Sequence, residues 1–125
     1  MPTSETRAYR PGDVVVVPFP YTDRFAEKRR PALVISNDKL AAEGFVWVAM
    51  ITSVKNSRMK YDQPIIDLPR AGLSAPSVVR PIKLACIEPA RIVRRAGSLP
   101  PIDSRRALAA VSAFIGKGTA RKPER

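Results

Sequence analysis

Histidine is absent from this chain, and cysteine occurs once, at Cys86. Without an imidazole, no Ser-His, Cys-His or paired-histidine acid/base mechanism can operate, and no imidazole can hold a metal. A lone cysteine cannot close an internal disulfide, and a zinc site would have to be built almost wholly from carboxylates. No cofactor and no metal are therefore expected. Long apolar runs are missing too. The longest, Val14 to Val17 or Phe45 to Ile51 depending on which residues are counted, falls far short of the ~20 residues that span a bilayer. The first residues carry Arg7 and Arg10 with no apolar stretch behind them, so they do not read as a secretory signal. A reducing, cytoplasmic location away from membranes is the expectation.

Positive charge is plentiful. The chain has 22 Lys and Arg against 11 Asp and Glu, a formal net charge of +11. Such an excess attracts phosphate-rich partners, nucleic acid first, with a solvated basic surface as the plain alternative. Residues 1–90 hold 13 basic and 9 acidic side chains, and residues 91–125 hold 9 and 2, so much of the excess is C-terminal. A length of 125 residues, 45% apolar and 26% charged, suits one globular domain.

The 13 prolines interrupt long helices everywhere except over residues 102–122. There Asp103 or Ser104 can cap a helix, and Ala107, Leu108, Val111, Phe114 and Ile115 recur at helical spacing before Gly116. Elsewhere the apolar runs are short, β-branched and bounded by turn residues. They predict strands at Asp13 to Val17, Ala32 to Ser36, Phe45 to Thr52, Gln63 to Ile66 and from Ser77 towards Ile87. Asn37 to Gly44 reads as a turn or two of helix ended by a glycine, and Pro18 to Arg30 as an irregular connection. The fold class that follows is mainly β, a small SH3-like twisted barrel of short antiparallel strands with one C-terminal amphipathic helix. Residues 1–11 read as an N-terminal extension, 12–115 as the barrel with its helix, and 116–125 as a basic, disordered tail. Mid-strand Trp47 is expected in the core.

Five segments taken in order carry a family resemblance: Gly12-Asp13 opening the valine strand; Pro18-Phe19-Pro20-Tyr21-Thr22-Asp23; Arg29-Arg30-Pro31-Ala32-Leu33-Val34-Ile35-Ser36; Ile51-Thr52-Ser53; and Pro76-Ser77-Val78-Val79-Arg80. Over roughly residues 10–116 the chain resembles the MazF/PemK toxins of bacterial toxin-antitoxin pairs. The resemblance implies a small barrel with a C-terminal helix, and metal-independent cleavage of single-stranded RNA held in check by a cognate antitoxin. It also implies a homodimer with a shared RNA groove.

RNA supplies its own nucleophile, since a 2'-hydroxyl can attack the neighbouring phosphorus in line. The protein must position the strand, neutralise the phosphorane and move two protons. By the resemblance, Arg30 matches the family's catalytic arginine and Thr52 its catalytic threonine. A guanidinium can grip two phosphate oxygens at once, and a hydroxyl can donate to a third. Ser53 rivals Thr52, because neighbours on a strand face opposite ways and both faces here look partly buried. In one branch of the family an aspartate two residues after the Val-Val arginine acts as a base. Here Arg80 is followed by Pro81, Ile82 and Lys83, so that scheme does not carry over. Arg80 and Lys83 read as phosphate contacts, Asp67 and Glu27 as carboxylates with no assigned place, and the base stays open.

For binding, Phe19, Tyr21 and Phe25 stand among Arg24, Lys28 and Arg29, a mixture suited to stacking unpaired bases while gripping the backbone. Lys55, Arg58 and Lys60 follow Thr52 as a possible groove wall. Two other readings stay open: a non-enzymatic toxin of the same barrel that binds DNA gyrase, and a basic RNA-binding barrel without catalysis.

Overall fold

Valine after valine follows Gly12, and these β-branched residues form β1 (Asp13–Phe19). It lies between β2 (Lys28–Val34) and β6 (Arg94–Ser98). Next to β2 runs β3 (Val46–Ser53), which pairs on its other side with β5 (Ser77–Ile87), and β4 (Gln63–Pro64) closes that edge. The resulting six-stranded sheet has the order β4-β5-β3-β2-β1-β6, all pairs antiparallel, and curls into a half-barrel, as the sequence predicts. This computed structural model describes residues 9–19, 28–118 and 121, with Phe19 described in its backbone only.

The sheet buries both faces, which is why its strands read as runs rather than alternations. One face packs Val14, Leu33, Ala49, Ile51 and Val79 with Ile65, Ala71, Leu99 and Ala107. The helical cover on this side is α2 (Leu68–Ala71) and α3 (Pro101–Ser112). The opposite face packs Val15, Val17, Ala32, Val34, Val46, Val48, Ile87 and Ile92.

Two prolines mark where the ladder is interrupted. Pro81 sits in β5 inside a bulge: Ala49 and Met50 are adjacent on β3, yet their partners are Leu84 and Arg80, so Pro81, Ile82 and Lys83 are looped out of register. Pro31 sits in β2, which pairs with β1 as far as Lys28 but with β3 only as far as Ala32. A residue without an N–H near the last rung agrees with the early end of the β2–β3 ladder.

Several expectations change. The stretch read as irregular already contains the start of β2, from Lys28. Strand β6, Arg-Arg-Ala-Gly-Ser, has no β-branched residue and forms by pairing with β1 at the sheet edge. Helix α2 was not foreseen either; Asp67 caps it by accepting from the Arg70 N–H at 3.1 Å, and Gly72 ends it at φ 76°. Helix α1 (Asp38–Ala42) fits its prediction, with the Asn37 side chain accepting from the Lys39 N–H and Gly44 at φ 92° behind it. Neither Asp103 nor Ser104 caps α3. Pro100 holds the cap position and Pro101 the first turn, where a missing N–H costs nothing, while Asp103 faces Arg106 at 3.6 Å. The helix stops at Ser112, leaving Phe114 and Ile115 beyond it and exposed. Trp47 is not core but 48% exposed. Among the described residues no helix is long and apolar enough to cross a membrane.

Candidate functional site

Arg30 and Thr52 share one face of the sheet. The β2–β3 ladder runs Val34↔Val48, Leu33↔Ala49 and Ala32↔Met50 and ends there; the same register extended by two residues would match Arg30 with Thr52. Alternation then places both on the face of Ala32, Val34, Val48 and Met50. Ser53 falls on the other face with Ala49 and Ile51, and its Oγ accepts from the Lys55 N–H at 3.1 Å. Ser53 nevertheless borders the adjoining cleft, of about 320 Å³, with Asn56, Arg58, Asp62, Pro64, Val78 and Arg80. Thr52 is buried, 4% exposed.

The Arg30 Nε is buried and makes no hydrogen bond among the described residues. A guanidinium N–H removed from water without an acceptor is costly, and an anion is the natural acceptor for it. Among the described residues the Thr52 hydroxyl has one bond: its Oγ1 accepts from Asn56 Nδ2 at 2.6 Å.

Arg80 shares this face by pairing with Met50. Expected to be a phosphate contact, it is 8% exposed and engaged internally. Its Nε and Nη2 donate to the two Asp62 oxygens at 3.0 and 2.8 Å, and Nη2 also donates to the Ser57 carbonyl at 2.6 Å. A fork-to-fork pair of this kind has little left for a ligand. It holds the loop after β3 against β5. The Arg80 guanidinium also holds the Asp62 carboxyl below the usual carboxylate range, helped by the Met59 N–H, while burial pushes the other way.

The other candidates are dispersed. Lys28 and Arg29 are exposed on β2, Lys55 is exposed in the turn after Thr52, and Lys83 is exposed in the β5 bulge. Tyr21, Arg24, Phe25 and Glu27 lie outside the described residues, as does the Phe19 side chain. Asp67 is spent as the α2 cap. Among the described residues no group of three or more Cys, Asp or Glu could hold a metal ion.

Asn56 and Asp62 escaped the sequence reading. Asp62 lies 18 residues before Arg80, a separation with no local signal. Asn56 had one: an amide four residues past a strand-end threonine, in a turn that can fold back upon it.

Solved structures share the fold. MazF from Deinococcus radiodurans superposes with a TM-score of 0.68 at 18% identity, covering 86% of this chain and 96% of that one. The Mycobacterium tuberculosis toxin MazF-mt6 gives 0.63 at 20%, covering 81% and 93%. An endoribonuclease in complex with its cognate antitoxin, from a Mycobacterial species, gives 0.63 at 13%, covering 86% and 92%. No curated protein matches the chain significantly. The model of the PemK-like, MazF-like toxins of type II toxin-antitoxin systems matches residues 10–115, and the chain belongs to that family.

Proposed function

We propose that this chain is a metal-independent endoribonuclease toxin that cleaves single-stranded RNA in the cytoplasm and is neutralised by a cognate antitoxin. The observation that carries the reading is the buried Arg30 Nε, without a hydrogen-bond partner among the described residues, on the same sheet face as Thr52. A scissile phosphate gives that N–H its acceptor. The 2'-oxygen attacks phosphorus, the P–O5' bond breaks, and the products are a 2',3'-cyclic phosphate and a 5'-hydroxyl. Arg30 stabilises the charge that grows on the phosphorane, and Thr52 donates to a non-bridging oxygen. Asp62, with its oxygens held by Arg80 and Met59, is poorly disposed to accept the 2'-hydroxyl proton. Exposed Lys28, Arg29, Lys55 and Lys83 supply phosphate contacts along the strand, joined by Phe19, Tyr21 and Arg24 for stacking and charge.

Support for the antitoxin comes from family membership and from the solved endoribonuclease–antitoxin complex of the same fold. The active species is a homodimer. An apolar groove of about 660 Å³ opens between the sheet and α3, lined by Ile35, Trp47, Leu84, Leu108, Val111 and Ile115. Trp47, Leu84 and Ile115 are all exposed there. A wholly uncharged lining on a chain of charge +11 suits the like surface of a second copy.

The test is cleavage of single-stranded RNA in EDTA with the product ends identified. Arg30→Ala and Thr52→Ala should each reduce the rate at least about a hundredfold, the scale for losing one transition-state donor. Intact RNA with the wild-type protein across varied substrates, or a strict Mg²⁺ requirement, overturns the reading.

A further inference from the structure

Strand β3 ends in a turn that returns a side chain to its own last residues. The Asn56 N–H donates to the Ser53 carbonyl at 3.1 Å, and the Lys55 N–H donates to Ser53 Oγ, closing the turn at its start. One residue on, the Ser57 carbonyl is held by Arg80 Nη2. Further along, the Met59 N–H donates to Asp62, and the Asp62 N–H donates to the Met59 carbonyl. Asn56 therefore stands on a segment tied at both ends, and its amide reaches back to Thr52 Oγ1 at 2.6 Å.

The direction of that bond matters. An amide N–H donating to the threonine oxygen occupies a lone pair and leaves the hydroxyl proton to be given elsewhere. Among the described residues the Thr52 hydroxyl donates to nothing. Its neighbours across the strands, Arg30 by extended register and Val78 by pairing, have no side-chain acceptor. Thus, among the described residues, the hydroxyl proton and the Arg30 Nε proton are two donors without an acceptor on one face. We propose that Asn56 is a positioning residue that fixes Thr52 as a hydrogen-bond donor towards the scissile phosphate, an inference that rests on the RNA-cleavage reading above.

Asp and Asn are close in size but opposite in hydrogen bonding, and this gives the test. In Asn56→Asp the carboxylate can only accept, so it draws the Thr52 hydroxyl proton to itself and removes the donor from the phosphate. Asn56→Ala merely releases the hydroxyl. With wild-type cleavage in hand, the expected order of kcat is wild type, then Asn56→Ala lower by about tenfold, then Asn56→Asp lower by about a hundredfold and equal to Thr52→Val, with KM for RNA changed little in the alanine variant. Adding Asn56→Asp to Thr52→Val should cost nothing more. Equal activity of the Asp and Ala variants at wild-type melting temperature, or a full additional loss in the double variant, overturns the proposal while leaving the RNA-cleavage reading standing. A second measurement needs no activity: the Asn56 side-chain amide proton resonance in the wild-type protein should shift upfield in Thr52→Val as its acceptor is lost. An unmoved resonance overturns the proposal. Intact RNA with wild type overturns the cleavage reading, and the amide resonance then decides the hydrogen bond alone.

Discussion

Replacing Asp62 by asparagine would leave the Arg80 guanidinium buried opposite a neutral partner, with its Nη2 still donating to the Ser57 carbonyl. Side chains 9% and 7% exposed make this pair internal, and breaking such a pair costs about 3–5 kcal/mol. The pH dependence follows from the lowered Asp62 pKa. Below about pH 4, the ordinary value, the unfolded chain binds the proton more readily than the folded one, so stability rises with pH in this window. Asp62 therefore contributes its full stabilisation above about pH 4 and loses it as pH falls through its lower folded value. Urea melts across that range should show a steep acid limb in the wild type and a shallower one in Asp62→Asn. Parallel limbs in both would remove the Arg80–Asp62 pair as a source of acid sensitivity. None of this was legible in the sequence, where Arg80 has the look of a surface phosphate contact. Only the loop's path brings a carboxylate to it.

At the scale of elements, the short pieces that sequence periodicity passed over determine how the sheet is covered. Helix α2 packs directly on β6: a Cβ on Gly97 would collide with the backbone of Arg70 and Ala71, and one on Gly72 with the backbone of Ala96. Glycine at 97 is thus required by close approach of two backbones rather than by turn conformation, since its φ is not positive. Gly97→Ala should destabilise the fold by about 1–3 kcal/mol, read as a drop in the urea midpoint with an unchanged slope. Wild-type stability in that variant would mean that α2 is free to move off the sheet. The strands with β-branched runs were predictable from their own residues. Strand β6 was not, because its charged and small residues become a strand only by taking the open edge of β1.

For the whole molecule, the proposed homodimer rests on the exposed apolar groove. Trp47→Glu places a charge on that surface, and the proposed dimer should become monomeric at micromolar concentration by light scattering, with its melting curve retained apart from the loss of dimer stabilisation. A wild-type protein that is already monomeric under those conditions would sink the homodimer. Trp47 was expected inside on the ground that a mid-strand aromatic belongs to a core. The structure places it with Leu84 and Ile115 around the groove, half exposed.

What the amino-acid sequence determined alone is the chemistry at hand and the kind of fold. Zero histidines leave arginine, lysine, carboxylates, hydroxyls and water as the candidates for phosphate chemistry, and β-branched runs cut by prolines make a small β protein with one terminal helix. These are local properties, carried by residue type and spacing. Tertiary structure alone decided which groups meet. The β2–β3 register puts Arg30 and Thr52 on one sheet face and Ser53 on the other, a choice alternation could not make because both faces are buried. Arg80 and Asp62, 18 residues apart, pair only once β5 and the preceding loop lie side by side. Where the sequence excludes histidine, the fold sets on one sheet face the buried Arg30 Nε, without a hydrogen-bond partner among the described residues, and the Thr52 oxygen that accepts from Asn56.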